Sequence, residues 1–386
     1  MFRSKLSLNN YNYDINKDLI ANHPKDGRKN SNLLIYRKGK ISQSKFKSIG
    51  DHLPKNTSIY FNDSKVINGR FIFSNRNNAK IEILILNEEI DFQLTKKKEV
   101  LTNGLIRNSK KWTDNEILSL KKNEDVLYVK RIQDKIKFTW EKNKTWLEIL
   151  DIFGEIPLPP YIKREVEVSD YKDYQTVYSK NNGSIASPTA GLHFTNQMMN
   201  DLQKDFKLDF FTLHVGIGTF KPISEENIYD HTMHSEEINI SKINISNIYE
   251  AENITAVGTT SLRILESIYY LSKMISKNKK KIIINQFIYT DEDKIISKRR
   301  ACDIILNYML KNNIQNIRFK TNIFILPGYK FKFTDQLITN FHYPKSTLIL
   351  LISAFIGDDW RKVYKFALDK KFRFFSYGDS SLLYKQ

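Results

Sequence analysis

The chain has 386 residues, above the size at which one hydrophobic core usually suffices, so two domains are expected. Its 41% hydrophobic and 27% charged residues are those of a folded protein and exclude a wholly disordered one. A net charge of +18 suits a polyanionic partner such as nucleic acid, but a sequence crowded with Lys, Asn and Ile reaches the same excess by compositional drift, and the cations read as scattered.

In chain order, the first residues carry no apolar run of signal-peptide length. Leu33–Tyr36 reads as a strand, Lys38-Gly39 as a turn and Ser58–Phe61 as a second strand ending in Asn62-Asp63-Ser64. This first α/β part runs to residue 73. Between residues 74 and 154 the pattern changes. Ala79–Leu86 is an apolar strand, and Ile136, Phe138 and Trp140 alternate with polar residues after a turn at Gln133–Lys135, the mark of antiparallel hairpins. The simplest reading is a small all-β module inserted into an α/β chain. A helix, Thr145–Ile152, closes at Gly154, and the rigid Pro157–Pro160 makes the return.

Residues 155–386 resume the α/β alternation. Phe210–Val215 runs as a strand into Gly216-Ile-Gly218, and Ile254–Val257 into Gly258-Thr-Thr-Ser261 and a helix, Leu262–Leu271. Ile283–Ile288 and Asn322–Leu326 are predicted strands, and the stretch over about 268–320 is otherwise charged and helical, a peripheral elaboration. The lone Cys302 falls in a helix, Ala301–Leu310, as a small buried side chain, which excludes an intramolecular disulfide and a thiolate metal cluster. Leu348–Phe355 is a buried helix capped by Ser346 or Thr347, and Trp360–Leu368 one capped by Asp358. The longest apolar run, Leu348–Ile356, is too short to span a bilayer, so a soluble intracellular chain is expected.

Five of seven histidines (His193, His214, His231, His234, His342) fall in turn-rich polar segments at predicted strand ends, where open α/β sheets place ligands. These segments are Ser187–Thr195, His214–Pro222, His231–Glu236, Gly258–Arg263 and Thr339–Thr347. Each histidine alone is more readily a satisfied core or loop group; their concentration points to a site. His231 and His234 with Glu236 have chelating spacing, but neither an HExxH pattern nor a cysteine supports a metal, and none is expected. The lone Gly216-Ile-Gly218 lacks the third glycine of a dinucleotide loop. Gly258–Ser261, opening a helix, offers free N–H groups and hydroxyls to a carboxylate or phosphate, though the same residues serve ordinary capping.

As a colinear set these segments resemble the S-adenosylmethionine:tRNA ribosyltransferase-isomerase family of queuosine biosynthesis. The resemblance runs through Tyr60–Ile67 with Arg70, Gly154–Ile162, Tyr174–Tyr178, Ser187–Thr195, Leu213–Pro222, His234–Glu236 and Ala256–Arg263 with Leu265–Ser267. It continues through Pro327–Phe331, Leu337–His342, Pro344–Thr347 and Arg373–Asp379, and is weakest over 74–143 and 267–320. It implies an α/β main domain with an inserted small antiparallel β-barrel, and a cytoplasmic monomer without membrane contact. The implied reaction moves and isomerises the ribosyl part of S-adenosylmethionine, a consumed co-substrate, onto 7-aminomethyl-7-deazaguanine at the tRNA wobble position. Epoxyqueuosine-tRNA, adenine and methionine result, and no metal is called for.

That chemistry needs an acid, a base and a neutral attacking amine. His193 and His214 are the expected acid/base pair, with Asp63 and Glu236 as carboxylates acting on the amine. Thr259, Thr260, Ser261 and Arg263 are expected to hold the methionine carboxylate or a phosphate. Thr189, Gly191, Gly216, Gly218, Thr219, Asn340 and His342 complete the substrate site, with Phe194, Phe220 or Tyr377 facing the sulfonium. Lys65, Arg70 and Lys345 are candidates for the tRNA backbone. Three departures from the family pattern bear on local contacts: Asp173 where an Arg is usual, Phe319-Lys320 for a Gly-Glu pair, and no paired glycines near Ala79. The departures at Asp173 and Lys320 motivate one competing reading, a tRNA-binding paralogue without transfer activity. Another is a glycosyl-transfer enzyme acting on a free nucleotide.

Overall fold

A computed structural model describes residues 6–86, 98–216, 223, 225–279, 282–291 and 295–386. Its larger element is a ten-stranded mixed sheet. In spatial order the strands are Ile283–Ile284, Asn316–Thr321, Glu236–Ser241, Lys207–Leu213, Thr57–Asn62, Asn253–Val257, Gln336–Asn340, Ser380–Tyr384, Asn32–Arg37 and Lys40–Lys45. The four central strands, Lys207–Leu213 through Gln336–Asn340, are mutually parallel. Thr57–Asn62 and Gln336–Asn340 are buried at every position, as parallel strands covered on both faces must be. Their carboxyl ends therefore share one edge of the sheet, and that edge carries the site.

The second sheet is antiparallel, in the order Arg70–Ser74, Lys80–Leu86, Glu99–Arg107, Lys135–Trp140, Asp125–Ile132, Leu118–Lys122. Its first and last strands approach each other, curling it into a nearly closed barrel. It has its own core, in which Phe138 meets Phe71 at 5.0 Å and Trp146 at 5.2 Å between ring centres. Trp146 opens the helix Trp146–Phe153, held by a reciprocal capping box of Thr145 and Glu148. The fold is thus an α/β main domain with an inserted small antiparallel barrel.

Several elements differ from the sequence expectation. Asn322–Leu326 is not a strand, although Ile323, Phe324, Ile325 and Leu326 are all buried; an apolar run signals burial without fixing backbone type. The strand lies just before it, at Asn316–Thr321, where exposed and buried residues alternate. Only Ile283–Ile284 of the other predicted strand pairs; a single 3-10 turn follows at Ile288–Asp291. The segment taken as peripheral is built into the main core: helix Lys298–Lys311 buries Ala301, Cys302, Ile305 and Met309. Asp359, not Asp358, occupies the cap of helix Trp360–Asp369, and Asp358 pairs with Arg361 at 2.6 Å. Nor are the cations evenly scattered, since residues 273–332 hold fourteen Lys and Arg against four Asp and Glu. Among the described residues no helix is long and apolar enough to cross a membrane.

Candidate active site

The strands Thr57–Asn62, Lys207–Leu213, Asn253–Val257 and Gln336–Asn340 end at Asp63, His214, Gly258 and Phe341, side by side. A cleft of about 610 Å³ opens at this edge. One wall is Ser187–Ala190 with Val215, another the start of helix Gly258–Ser276, and a third Thr339–Tyr343 with Phe375 and Ser376. Lys17, Asn22, Tyr161 and Lys163 stand among its remaining lining residues.

Gly258 turns strand into helix at φ +86°, a conformation side-chain-bearing residues rarely adopt. No side chain caps this helix, and Thr259 and Thr260 line the cleft, so its amino end offers N–H groups and hydroxyls to an anion. Ser187, in the facing wall, is buried, and its hydroxyl has no hydrogen-bond partner among the described residues.

Asn340 organises the third wall. Its Nδ2 donates to His193 Nε2 at 3.3 Å and to the Phe375 and Ser376 carbonyls at 3.2 and 3.4 Å, while Oδ1 accepts from Thr189 Oγ1 at 3.3 Å. His193 therefore stands behind Asn340, its ring packed 4.8 Å from Phe46, and does not line the cleft. Burial, with Arg28 and Arg373 nearby, pushes its pKa down to about 3, so it is neutral at pH 7. His342 does line the cleft. Its Nε2 lies 2.8 Å from Thr339 Oγ1, and desolvation holds its pKa at about 3.

Three rings gather at the opposite side of this wall. Phe375 meets Tyr161 at 4.8 Å and Tyr343 at 5.1 Å, and the Tyr161 hydroxyl bonds Ser376 Oγ at 2.5 Å. None of the three was singled out from the sequence as a sulfonium contact, although the rigid Pro157–Pro160 beside Tyr161 was a usable signal. The aromatics named instead lie elsewhere: Phe194 is packed edge-on against Phe46 and Phe61 in the core, and Tyr377 donates to Asp170 at 3.1 Å. Phe220, like Gly218 and Thr219, falls outside the described residues.

The remaining predicted residues form a second, deeper cluster at the same edge. Asp63 accepts from Thr212 Oγ1 at 2.7 Å and Asn181 Nδ2 at 3.1 Å. His214 is held neutral by burial against the pull of Asp63 and Glu237, and its Nδ1 has no partner among the described residues. Arg263 does not reach the cleft; its Nη1 meets Glu236 at 2.6 Å, and His234 bonds the other Glu236 oxygen at 3.2 Å. Burial opposes the Glu236 charge, yet Arg263 and His234 together hold its carboxyl below the usual range. His231 turns instead to Glu225 at 3.0 Å, so the two histidines serve different carboxylates. Gly216 sits beside the His234 ring. Ser261 is fully buried, and a Cβ on Gly191 would fall 1.9 Å from the Tyr178 hydroxyl, so these two are packing positions and do not line the cleft.

Of the expected tRNA contacts, Arg70 is engaged by Glu82 and Glu155 at 3.1 and 2.8 Å, and Lys345 donates to Asn9 Oδ1 at 2.9 Å. Lys65 is exposed. None of the three lines the cleft.

A family model described as a queuosine biosynthesis protein matches residues 8–383. Proteins named S-adenosylmethionine:tRNA ribosyltransferase-isomerase are similar over their whole length. The one from Rickettsia bellii is 37% identical, covering 99% of this chain and 100% of the relative. That from Campylobacter jejuni is 38% identical with 98% of each covered, and that from Legionella pneumophila 35% with 98% and 100%. A crystal structure of S-adenosylmethionine tRNA ribosyltransferase from Thermotoga maritima superposes with a TM-score of 0.47 at 22% identity, covering 97% of this chain and 99% of that one.

Proposed function

The chain belongs to the queuosine biosynthesis protein family, and from that membership we propose that it is an S-adenosylmethionine:tRNA ribosyltransferase-isomerase. It transfers and isomerises the ribosyl part of S-adenosylmethionine onto the aminomethyl group of 7-aminomethyl-7-deazaguanine at the tRNA wobble position. Epoxyqueuosine-tRNA is formed, and adenine and methionine leave.

One observation carries this reading: an uncapped helix start, an aromatic trio and a neutral histidine line a single cleft of about 610 Å³. The cleft suits a sulfonium nucleoside in volume and chemistry. The N–H groups at Gly258–Thr260 fit the amino-acid carboxylate, and the faces of Tyr161 and Phe375 fit the sulfonium charge. The unpartnered Ser187 hydroxyl is free to bond a ribose oxygen.

His342, held neutral at pH 7 by burial, serves the cleft as an uncharged hydrogen-bonding imidazole and not as a cationic acid. Asn340 holds the wall, and His193 fixes the orientation of the Asn340 amide from behind. Asp63, His214, Glu236 and Arg263 act on the floor of the site, through Val215 and the first turns of helix Gly258–Ser276.

Mass spectrometry of tRNA bearing the aminomethyl base, after incubation with S-adenosylmethionine, tests the proposal. A ribosyl-derived mass gain together with stoichiometric adenine is expected. Adenine released equally well without tRNA, or no mass gain at all, would overturn it.

A further inference from the structure

Most of the arginines near this edge of the sheet have a carboxylate partner, while Arg373 and Lys345 bond the His23 carbonyl and Asn9 Oδ1. Arg28 is held by Asp173, Arg70 by Glu82 and Glu155, Arg164 by Asp170, and Arg263 by Glu236. Lys17 and Lys163 are different. Both line the cleft, both are exposed, and neither meets a carboxylate among the described residues.

The two lysines sit on segments that are tied together. Arg164 grips Asp170 with two bonds of 2.6 and 2.7 Å and donates twice to the Asn22 carbonyl at 3.2 and 3.1 Å. Lys17 opens the short 3-10 turn Lys17–Leu19, capped by Asn16, a few residues before Asn22, and Lys163 immediately precedes Arg164. Their positive charges are thus presented from a braced rim. Tyr343 lines the same cleft as the two lysines and is 46% exposed although its ring is backed by Phe375 at 5.1 Å. A large aromatic left in water beside unpaired cations is the combination that single-stranded nucleic acid uses: bases stack on the ring and phosphates meet the ammonium groups.

We infer that this rim is the docking surface for the unpaired loop of tRNA, with a base stacked on Tyr343 and backbone phosphates on Lys17 and Lys163. The inference rests on the proposed function and adds to it the place where the polynucleotide enters. A competing surface is the basic stretch 273–332, where exposed cations such as Lys311 and Arg318 are spread over a helix end and a strand without an exposed ring in their midst. Charge is greater there, but the means of holding an unpaired base is at the rim.

The test is binding of the full chain to tRNA bearing the aminomethyl base, followed by fluorescence anisotropy across a salt series. Lys17→Ala/Lys163→Ala should reduce the slope of log affinity against log salt by about 1.4, two single-strand phosphate contacts. Tyr343→Ala should weaken binding about 5- to 150-fold, and Tyr343→Phe should restore it, because only the ring face is required. Lys311→Ala/Arg318→Ala should leave the slope unaltered. An unchanged slope in the rim pair, or a loss confined to the Lys311/Arg318 pair, overturns the surface while tRNA turnover by the unaltered protein leaves the enzymatic reading intact. No binding and no turnover by the unaltered protein would remove both.

Discussion

Arg28 donates through Nη2 to Asp173 Oδ1 at 3.0 Å, joining residues 145 positions apart. The same guanidinium bonds the Lys172 and Gln175 carbonyls, and the Gln175 amide in turn bonds both backbone groups of Val66. Asp173, which departs from the resembled pattern, therefore has a cation of its own. Asp173→Ala should cost about 1–2 kcal/mol, and Asp173→Arg more, because a second guanidinium would face Arg28. Urea midpoints measured at low and high salt check this. Salt should relieve the Arg variant and not the Ala variant; equal stability of all three proteins would show the pair to be idle.

His193 gives a pH dependence of defined sign. In the unfolded chain its ring takes up a proton near pH 6.5, whereas in the fold it stays neutral down to about 3. Below 6.5 the unfolded state therefore binds the extra proton, and stability falls as the solution is acidified. The loss should reach about 2 kcal/mol by pH 5 from this residue alone. Melting temperatures from pH 7.5 to 4.5 should show a steeper decline in the parent than in His193→Gln. Parallel curves would refute the assignment.

Glu266 is fully buried in helix Gly258–Ser276 and accepts five hydrogen bonds: from the Tyr329 and Thr334 hydroxyls and from the backbone N–H groups of Lys332, Phe333 and Thr334. It pins the loop that feeds the strand Gln336–Asn340. Glu266→Ala strands five donors and should cost roughly 4 kcal/mol or more. Hydrogen exchange of the Lys332–Thr334 amides should accelerate together. Protection of those amides at the parent level would contradict the role.

Gly191 should tolerate no side chain. Gly191→Ala drives a methyl into the Tyr178 ring and should cost about 3 kcal/mol or more, with Tyr178→Phe giving only partial relief because Cζ is also too near, at 2.9 Å. Differential scanning calorimetry of the single and double variants reads this directly.

The strands ending near Asp63 and Gly258 could be read from the sequence because apolar runs there stop at glycine or polar clusters; the strand Gln336–Asn340 was not predicted, although the polar segment Thr339–Thr347 at its end was singled out. What could not be read was which polar residues face inward. His193 and Asn340 belong to neighbouring motifs of equal polarity, yet one is the brace and the other the surface, a difference decided by the contact with Phe46. Arg263 was expected to hold the carboxylate or phosphate together with Thr259, but the buried charge of Glu236 claims it. Lys17 and Tyr343 carry no local pattern at all. They become conspicuous only when the nearby arginines Arg28, Arg70, Arg164 and Arg263 are seen to have acidic partners.

The strand Ser380–Tyr384 lies between Gln336–Asn340 and Asn32–Arg37 in the main sheet, and the hairpin of residues 32–45 joins the sheet only through it. The hairpin's place in the sheet thus depends on a strand more than 300 residues downstream, and any chain in which that strand has not yet docked carries an unpaired edge at Asn32–Arg37 that invites chaperone capture or intermolecular pairing.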